Sequence, residues 1–304
     1  MNANLINYLV CPTTKSKLKL KNETIDNSGQ IKSGVLVAEN QTQYPIINYI
    51  PRFIPHDAYT DTFSIQRRFI EKKFHKWQVE TNRQQIFEAS TNIKIDQIDK
   101  QSLFLDAGCG YGRFCELISN NPDQNVIGVD MSSTSIELAQ KYVGNRKNVH
   151  LIQCDLTQLP FEHALFDYIF SIGVLHHTPD PFYSFEQLVP FLKSSGQISI
   201  WVYPPEMKKI DNLIRLLTLK MPKRLVFYLS MFMPWIYVIS KKLRKRPMPE
   251  NFSYWPCTMS FFDSWTPKYA SVHTAVDVVE WFENCGLKNI SVLNRRTSVT
   301  GKNE

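Results

Sequence analysis

The segment Phe104-Leu105-Asp106-Ala107-Gly108-Cys109-Gly110-Tyr111-Gly112-Arg113 constrains this chain more than any other. A hydrophobic strand that ends in an acid and enters a turn with glycine at alternate positions leaves few folds open. Glycine there tolerates positive φ and lets the backbone approach a ligand, while the helix that follows presents free N–H groups. The pattern beyond it is regular. Val126–Asp130 reads as a strand, followed by a helix with Ile136, Ala139 and Val143 on one face, and Val149–Cys154 as the next strand. Then come strand Tyr168–Ile172, helix Phe182–Leu192 and strand Gln197–Tyr203. Thr274-x-x-Asp277 opens a helix over Ala275–Cys285, Gly286 stops it, and Ile290–Leu293 reads as another strand. Strands alternating with helices specify an α/β, doubly wound sheet, mostly parallel and covered on both faces.

Open sheets of this kind bind ligands beyond the carboxyl ends of their strands, and the chemistry-bearing residues fall there. Asp106, Gly108 and Gly110 follow the first strand. Asp130, twenty residues after Gly110, ends the second, where a carboxylate accepts hydrogen bonds from both hydroxyls of a ribose. Cys154-Asp155-Leu156 ends the third, placed to meet an adenine edge. Phe166-Asp167-Tyr168-Ile169-Phe170-Ser171 leads into Gly173-Val174-Leu175-His176-His177-Thr178-Pro179-Asp180-Pro181. Asp167, at the start of its strand, reads as a structural acid. Cys109 and Cys154 read as small apolar side chains.

Taken together, these motifs resemble the class I S-adenosylmethionine-dependent methyltransferases, in the branch whose fourth strand runs into an LHHxPDP turn. The resemblance covers residues 101–203 strongly and 263–293 more loosely. It implies a Rossmann-like, seven-stranded, mostly parallel sheet with S-adenosyl-L-methionine as cofactor. On this resemblance Asp106, Gly108 and Gly110 surround the methionine part, and Asp130, with Met131 beside it, holds the ribose. Asp155 and Leu156 would take the adenine, and Ser171 with Ile172 would form the wall beside the sulfonium. A nicotinamide dinucleotide site is the rival reading, but the third glycine of its fingerprint would fall at Arg113. His176 and His177 are the candidate catalytic bases, with Tyr269 and His273 as further candidates on a substrate loop.

Residues 1–57 read as a small module of short β runs at Lys17–Leu20, Gly34–Ala38 and Tyr44–Ile47. Its Cys11-Pro12 start and Tyr44–Pro51 tail resemble a zinc-ribbon-related methyltransferase activator module. The second cysteine of that pattern is Thr14 here, and no cysteine follows before Cys109, so the module is expected to be metal-free. Residues 58–100 are expected to form a helical linker and lid, with aromatic and aliphatic residues at helical spacing from Phe63 to Ile86. The remainder, 101–304, would be the main domain, with a helical cap inserted at 205–256.

The charge of +7 is local, because Pro205–Glu250 holds eleven Lys or Arg against three acids. Within it, Leu225–Ile239 is fifteen largely apolar residues, short of the roughly 20 needed to span a bilayer. The expected role is a buried cap over the acceptor, with peripheral membrane contact through 220–246 as the competing reading. Aromatics interleaved with regularly spaced basic residues are missing, which argues against nucleic acid as the partner. Six cysteines without a CxxC pair and an N-terminus without a signal pattern point to a reduced, cytoplasmic setting, membrane-associated on the competing reading. The expected function is methyl transfer to a small-molecule or lipid-linked acceptor. The alternatives are an RNA methyltransferase and a non-catalytic protein that binds the cofactor or a partner.

Elemental analysis of untagged protein is expected to show no stoichiometric zinc. Zinc at one per chain, abolished by Cys11→Ser, is the contrary result.

Overall fold

The computed structural model describes residues 1–54, 83–98, 101–205, 211–248 and 252–304. Most of the expected linker and lid, and short pieces of the expected insertion, lie outside the described residues.

The main sheet has seven strands, β5 (Leu103–Ala107), β6 (Asn125–Asp130), β7 (Val149–Gln153), β8 (Phe166–Ile172), β9 (Leu192–Trp201), β10 (Lys288–Val292) and β11 (Ser298–Lys302). They lie in the order β10-β11-β9-β8-β5-β6-β7. The pairs joining β5 to β9 are parallel, while β11 is antiparallel to both β9 and β10. This is the doubly wound α/β fold expected from the alternating pattern. β5 and β7 are buried at every position, as strands covered on both faces must be. Strand order reverses between β5 and β8, and the crevice beyond their carboxyl ends is where such sheets take ligands.

The helices flanking the site are α1 (Arg83–Thr91), α2 (Arg113–Ser119), α3 (Ser133–Val143) and α4 (Pro181–Glu186). In α3 the predicted apolar face, Ile136, Ala139 and Val143, is buried. The helix expected over Phe182–Leu192 ends early. Pro190 has no N–H to continue it, so a 3-10 turn spans Val189–Phe191 and Leu192 already belongs to β9. After β9 come α5 (Asp211–Thr218), α6 (Lys223–Leu243), α7 (Tyr254–Trp265) and α8 (Ala275–Asn284). α8 opens on a capping box in which Thr274 Oγ1 accepts from the Asp277 N–H and Asp277 accepts from the Thr274 N–H.

The N-terminal residues form a four-stranded antiparallel sheet, β1 (Lys19–Ile25), β2 (Ile31–Val37), β3 (Gln43–Ile47) and β4 (Ile50–Pro51). It is docked rather than tethered. Val10 N–H donates to the Pro160 carbonyl at 2.9 Å and Phe53 N–H to the Gln153 carbonyl at 2.8 Å. A single apolar cluster runs through the seam, taking in Leu5, Leu9 and Leu36 from one side and Phe161, Phe166 and Ile152 from the other. Cys11 Sγ sits 3.2 Å from Tyr44 Oη and 3.3 Å from Thr13 Oγ1. Among the described residues no three His, Cys, Asp or Glu side chains cluster as metal ligands.

α6 packs on α7, which runs past the expected end of the insertion at 256, through a separate cluster of Val226 and Phe227 with Met259, Phe262 and Trp265. The burial expected of the whole 225–239 run holds for one face of α6, carrying Val226, Phe227, Ser230 and Pro234. The opposite face is exposed.

Leu9→Ala should cost about 2–5 kcal/mol, the range for emptying a packed leucine site. Denaturant unfolding should show one transition at a lower midpoint, because the seam joins both sheets. Two separated transitions in the wild-type chain would show that they unfold independently.

Candidate active site

The glycine turn is built by packing. Gly108 has φ +92°, and a Cβ there would lie 2.5 Å from both Cγ atoms of Val174. The turn therefore reaches the β8 loop through a space that a side chain would fill. The Gly108 and Cys109 N–H groups both donate to the Val129 carbonyl at 2.9 Å, which fixes the turn on β6. Gly112, at φ +84°, opens α2 against Val143 and Ala139 of α3.

Asp130 closes this arrangement. One carboxylate oxygen accepts from the Gly110 N–H and the other from the Ser132 N–H, each at 2.8 Å. Ser132 in turn caps α3, its hydroxyl accepting from the Ser135 N–H. Met131 follows Asp130, and its carbonyl accepts from Gln153 Nε2 at 2.9 Å.

Asp106 is buried at the end of β5. Burial raises its carboxyl to about 7, with the Asp130 charge adding to the rise and a hydrogen bond from Cys115 opposing it. Cys115 Sγ lies 3.5 Å from Asp106 Oδ2. Burial holds the Cys109 and Cys154 thiols well above their ordinary range, so both are neutral. Ser171 donates to the Ala107 carbonyl at 2.8 Å and ties β8 to β5 beside Asp106. Asp155 accepts from both the N–H and the hydroxyl of Thr157 at 2.9 Å, and Leu156 is buried next to it. Asp167 lies away from these residues at the start of β8, paired with Lys193 and accepting from the Leu103 N–H.

The histidine turn is a short 3-10 helix, Leu175–His177, followed by α4, whose N-cap is Asp180 and whose first residue is Pro181. His176 is fully buried and stacks on Tyr203 with ring centroids 3.8 Å apart. His177 Nδ1 is 3.1 Å from the Tyr269 carbonyl. A carbonyl only accepts, so Nδ1 carries the proton and the basic lone pair falls on Nε2. Residues 269–273 lie along this turn. Ser271 N–H donates to the His176 carbonyl and His273 N–H to the Tyr203 carbonyl, both at 2.9 Å. Burial lowers the pKa of His273.

The structure thus brings the expected residues after β5, β6, β7 and β8 to one edge of the sheet. It adds residues that the motifs do not announce. Tyr203, two residues beyond β9, is pushed up by burial and by the Asp263 charge. Arg295 stacks over Trp201, its guanidinium carbon 3.6 Å from the ring centroid, and donates to Ser90 at 2.7 Å. Burial brings Arg295 down to about 10. A basic residue in the turn between edge strand β10 and its neighbour β11 has no local signal to mark it. Only the antiparallel return of β11 carries it to the sheet.

Residues 105–200 match the methyltransferase domain family. The matched stretch holds the candidate cofactor positions from Asp106 to Ser171 and both His176 and His177, while Tyr269 and His273 lie beyond it. The chain is 34% identical over 102 residues to tRNA U34 carboxymethyltransferase of Vibrio cholerae, covering 33% of this chain and 31% of that protein. It is 32% identical over 107 residues to demethylmenaquinone methyltransferase of Staphylococcus carnosus, covering 34% of this chain and 44% of that protein. The chain therefore spans less than half the length of these curated relatives. A solved SAM-dependent methyltransferase from Aquifex aeolicus is similar over 72% of this chain and 87% of its own, at 13% identity and a TM-score of 0.42.

The raised Asp106 carboxyl has a signature in stability. Its ordinary value is 3.8 and its folded value about 7, so between those limits the folded state holds a proton that the unfolded state has lost. Stability therefore falls with rising pH across that window, by up to about 1.4 kcal/mol per unit, and levels off above it. His150, brought down to about 4 by burial, acts in the opposite sense between pH 4 and 6.5. The difference between wild type and Asp106→Asn isolates the aspartate. The variant should gain on the wild type in melting temperature from pH 5 to pH 8, and a constant difference would contradict the assignment.

Proposed function

We propose that this chain is an S-adenosyl-L-methionine-dependent methyltransferase acting on a small-molecule or lipid-linked acceptor. The observation that carries the reading is the convergence of Asp106, the Gly108–Gly110 turn, Asp130 and the Asp155 loop at one sheet edge inside a methyltransferase domain. The residues fit the cofactor's three parts. A buried carboxyl near its titration point, Asp106, favours an ammonium group, which would draw it into the ionised form. Gly108 and Gly110, at φ +92° and +58°, shape the turn around which the methionine part would lie, and the Asp130 carboxylate at the end of β6 would accept from a ribose diol. Met131, Asp155 and Leu156 would flank the adenine and ribose, and Ser171 the sulfonium end.

When bound, S-adenosyl-L-methionine supplies a methyl group already activated toward nucleophiles. The chain's task is then to hold an acceptor in line and keep water away. The buried His176 stacked on the half-buried Tyr203 would form an aromatic wall for that purpose. His177, with its basic lone pair set on Nε2 by the Tyr269 carbonyl, is the residue poised to take a proton from an acceptor that must lose one. The two curated relatives act, by name, on a tRNA and on a demethylmenaquinone.

Calorimetry tests the reading. The wild type should bind S-adenosylmethionine or its demethylated product. Asp130→Ala should weaken that binding at least tenfold, since it removes up to two charge-assisted hydrogen bonds of about 1.5–3 kcal/mol each. Tight NAD binding with no binding of either sulfur compound would sink the proposal.

A further inference from the structure

The exposed face of α6 is an ordered stripe. Leu225, Tyr228, Phe232, Trp235, Ile239 and Leu243 recur at steps of three and four residues, the spacing of one helix face. All are open to solvent, Phe232 by 64%, Trp235 by 63% and Leu243 by 79%. The opposite face holds the helix on the protein through Val226, Phe227, Ser230 and Pro234, so the stripe points outward by construction. Twenty-one residues at about 1.5 Å of rise make a ridge roughly 30 Å long. Soluble chains seldom expose so continuous an apolar surface without a partner.

Charge identifies that partner. From residue 212 to residue 249 there are nine Lys or Arg and no Asp or Glu. Lys220 and Arg224 at one end, and Lys242, Arg244, Lys245 and Arg246 at the other, are exposed. Two copies of this ridge packed face to face would bring like charges together with no acid between them, which disfavours a homodimer there. An anionic lipid surface meets both features, since headgroups attract the basic ends while the apolar stripe sinks to the acyl boundary. Among the described residues no helix is long and apolar enough to cross a membrane, so the contact is in-plane.

We infer that α6 is an interfacial ridge that docks this protein on anionic membranes, with the Phe232 and Trp235 side chains inserted. The ridge is joined to the histidine turn. Thr218 donates to the Trp265 carbonyl at 2.6 Å and Lys223 to the Thr266 carbonyl at 3.2 Å, and three residues further on the Tyr269 carbonyl meets His177. The inference uses no residue of the cofactor site and stands apart from the methyl-transfer reading.

Flotation of the full chain with vesicles of phosphatidylcholine, with and without phosphatidylglycerol, tests it. Binding is expected to the anionic vesicles at low salt, at least tenfold weaker in 0.5 M salt and on neutral vesicles. The double variant Phe232→Glu/Trp235→Glu should lose the binding while keeping the wild-type melting temperature and cofactor titration. A charge variant, Lys242→Glu/Lys245→Glu, should weaken it without touching the stripe. Absence of flotation with anionic vesicles at low salt overturns the inference, as does flotation that the stripe variant leaves unchanged. A dimer dissociated by the stripe variant, with no vesicle binding, overturns it in favour of a second copy.

Discussion

The close approach of the Gly108 turn to Val174 is the contact on which the site depends. A Cβ at Gly108 would overlap both Val174 methyl groups, so the loops after β5 and β8 meet across the point where strand order reverses. The Asp130 carboxylate then locks the far side of the turn through the Gly110 N–H. With both sides fixed, Asp106 is sealed beneath the turn, and its raised carboxyl is the electrostatic consequence of that seal. The same residues that shape the cleft thus set its charge. Neither function can be changed without the other.

The second sheet enters this network from outside. Arg52 donates to Gln153 Oε1 at 2.6 Å and to Glu137 Oε1 at 2.9 Å, and Gln153 Nε2 donates to the Met131 carbonyl. A residue of the N-terminal module therefore reaches the loop after β6 through one intervening side chain. The bridge between Arg52 and Gln153 also pairs the outer strand β7, which would otherwise present an open edge. A small β module thus protects the sheet edge and braces the Asp130 loop together.

Much of the site was legible because its signals are local. The strand β5 was bounded correctly from its apolar run and the glycines after it, and the face of α3 from its 3.6-residue period. The α8 capping box was visible as Thr274 and Asp277. What escaped was set by tertiary contact. β11, Ser-Val-Thr-Gly-Lys, has no strong apolar alternation, and its burial comes from β9 and β10 on either side. Arg295 reaches Trp201 only through that pairing, and Arg52 reaches Gln153 only through docking of the module. Pro190 shortens the helix expected over Phe182–Leu192.

The apolar run at 225–239 is buried on one face only for a related reason. Hydrophobic content indicates burial only when the rest of the fold supplies a surface to bury against, and the seven-stranded sheet is already covered. Its partner is instead the short α7, and two helices cover one face of each other while leaving the outer faces bare. An apolar outer face on such a pair is not needed to hold α6 in place, since Val226, Phe227 and Ser230 already do that. It persists beside an acid-free stretch of nine basic residues, and the two features share no structural requirement. Apolar stripe and basic ends are jointly explained by a single surface that is both oily and anionic, and a lipid interface is such a surface.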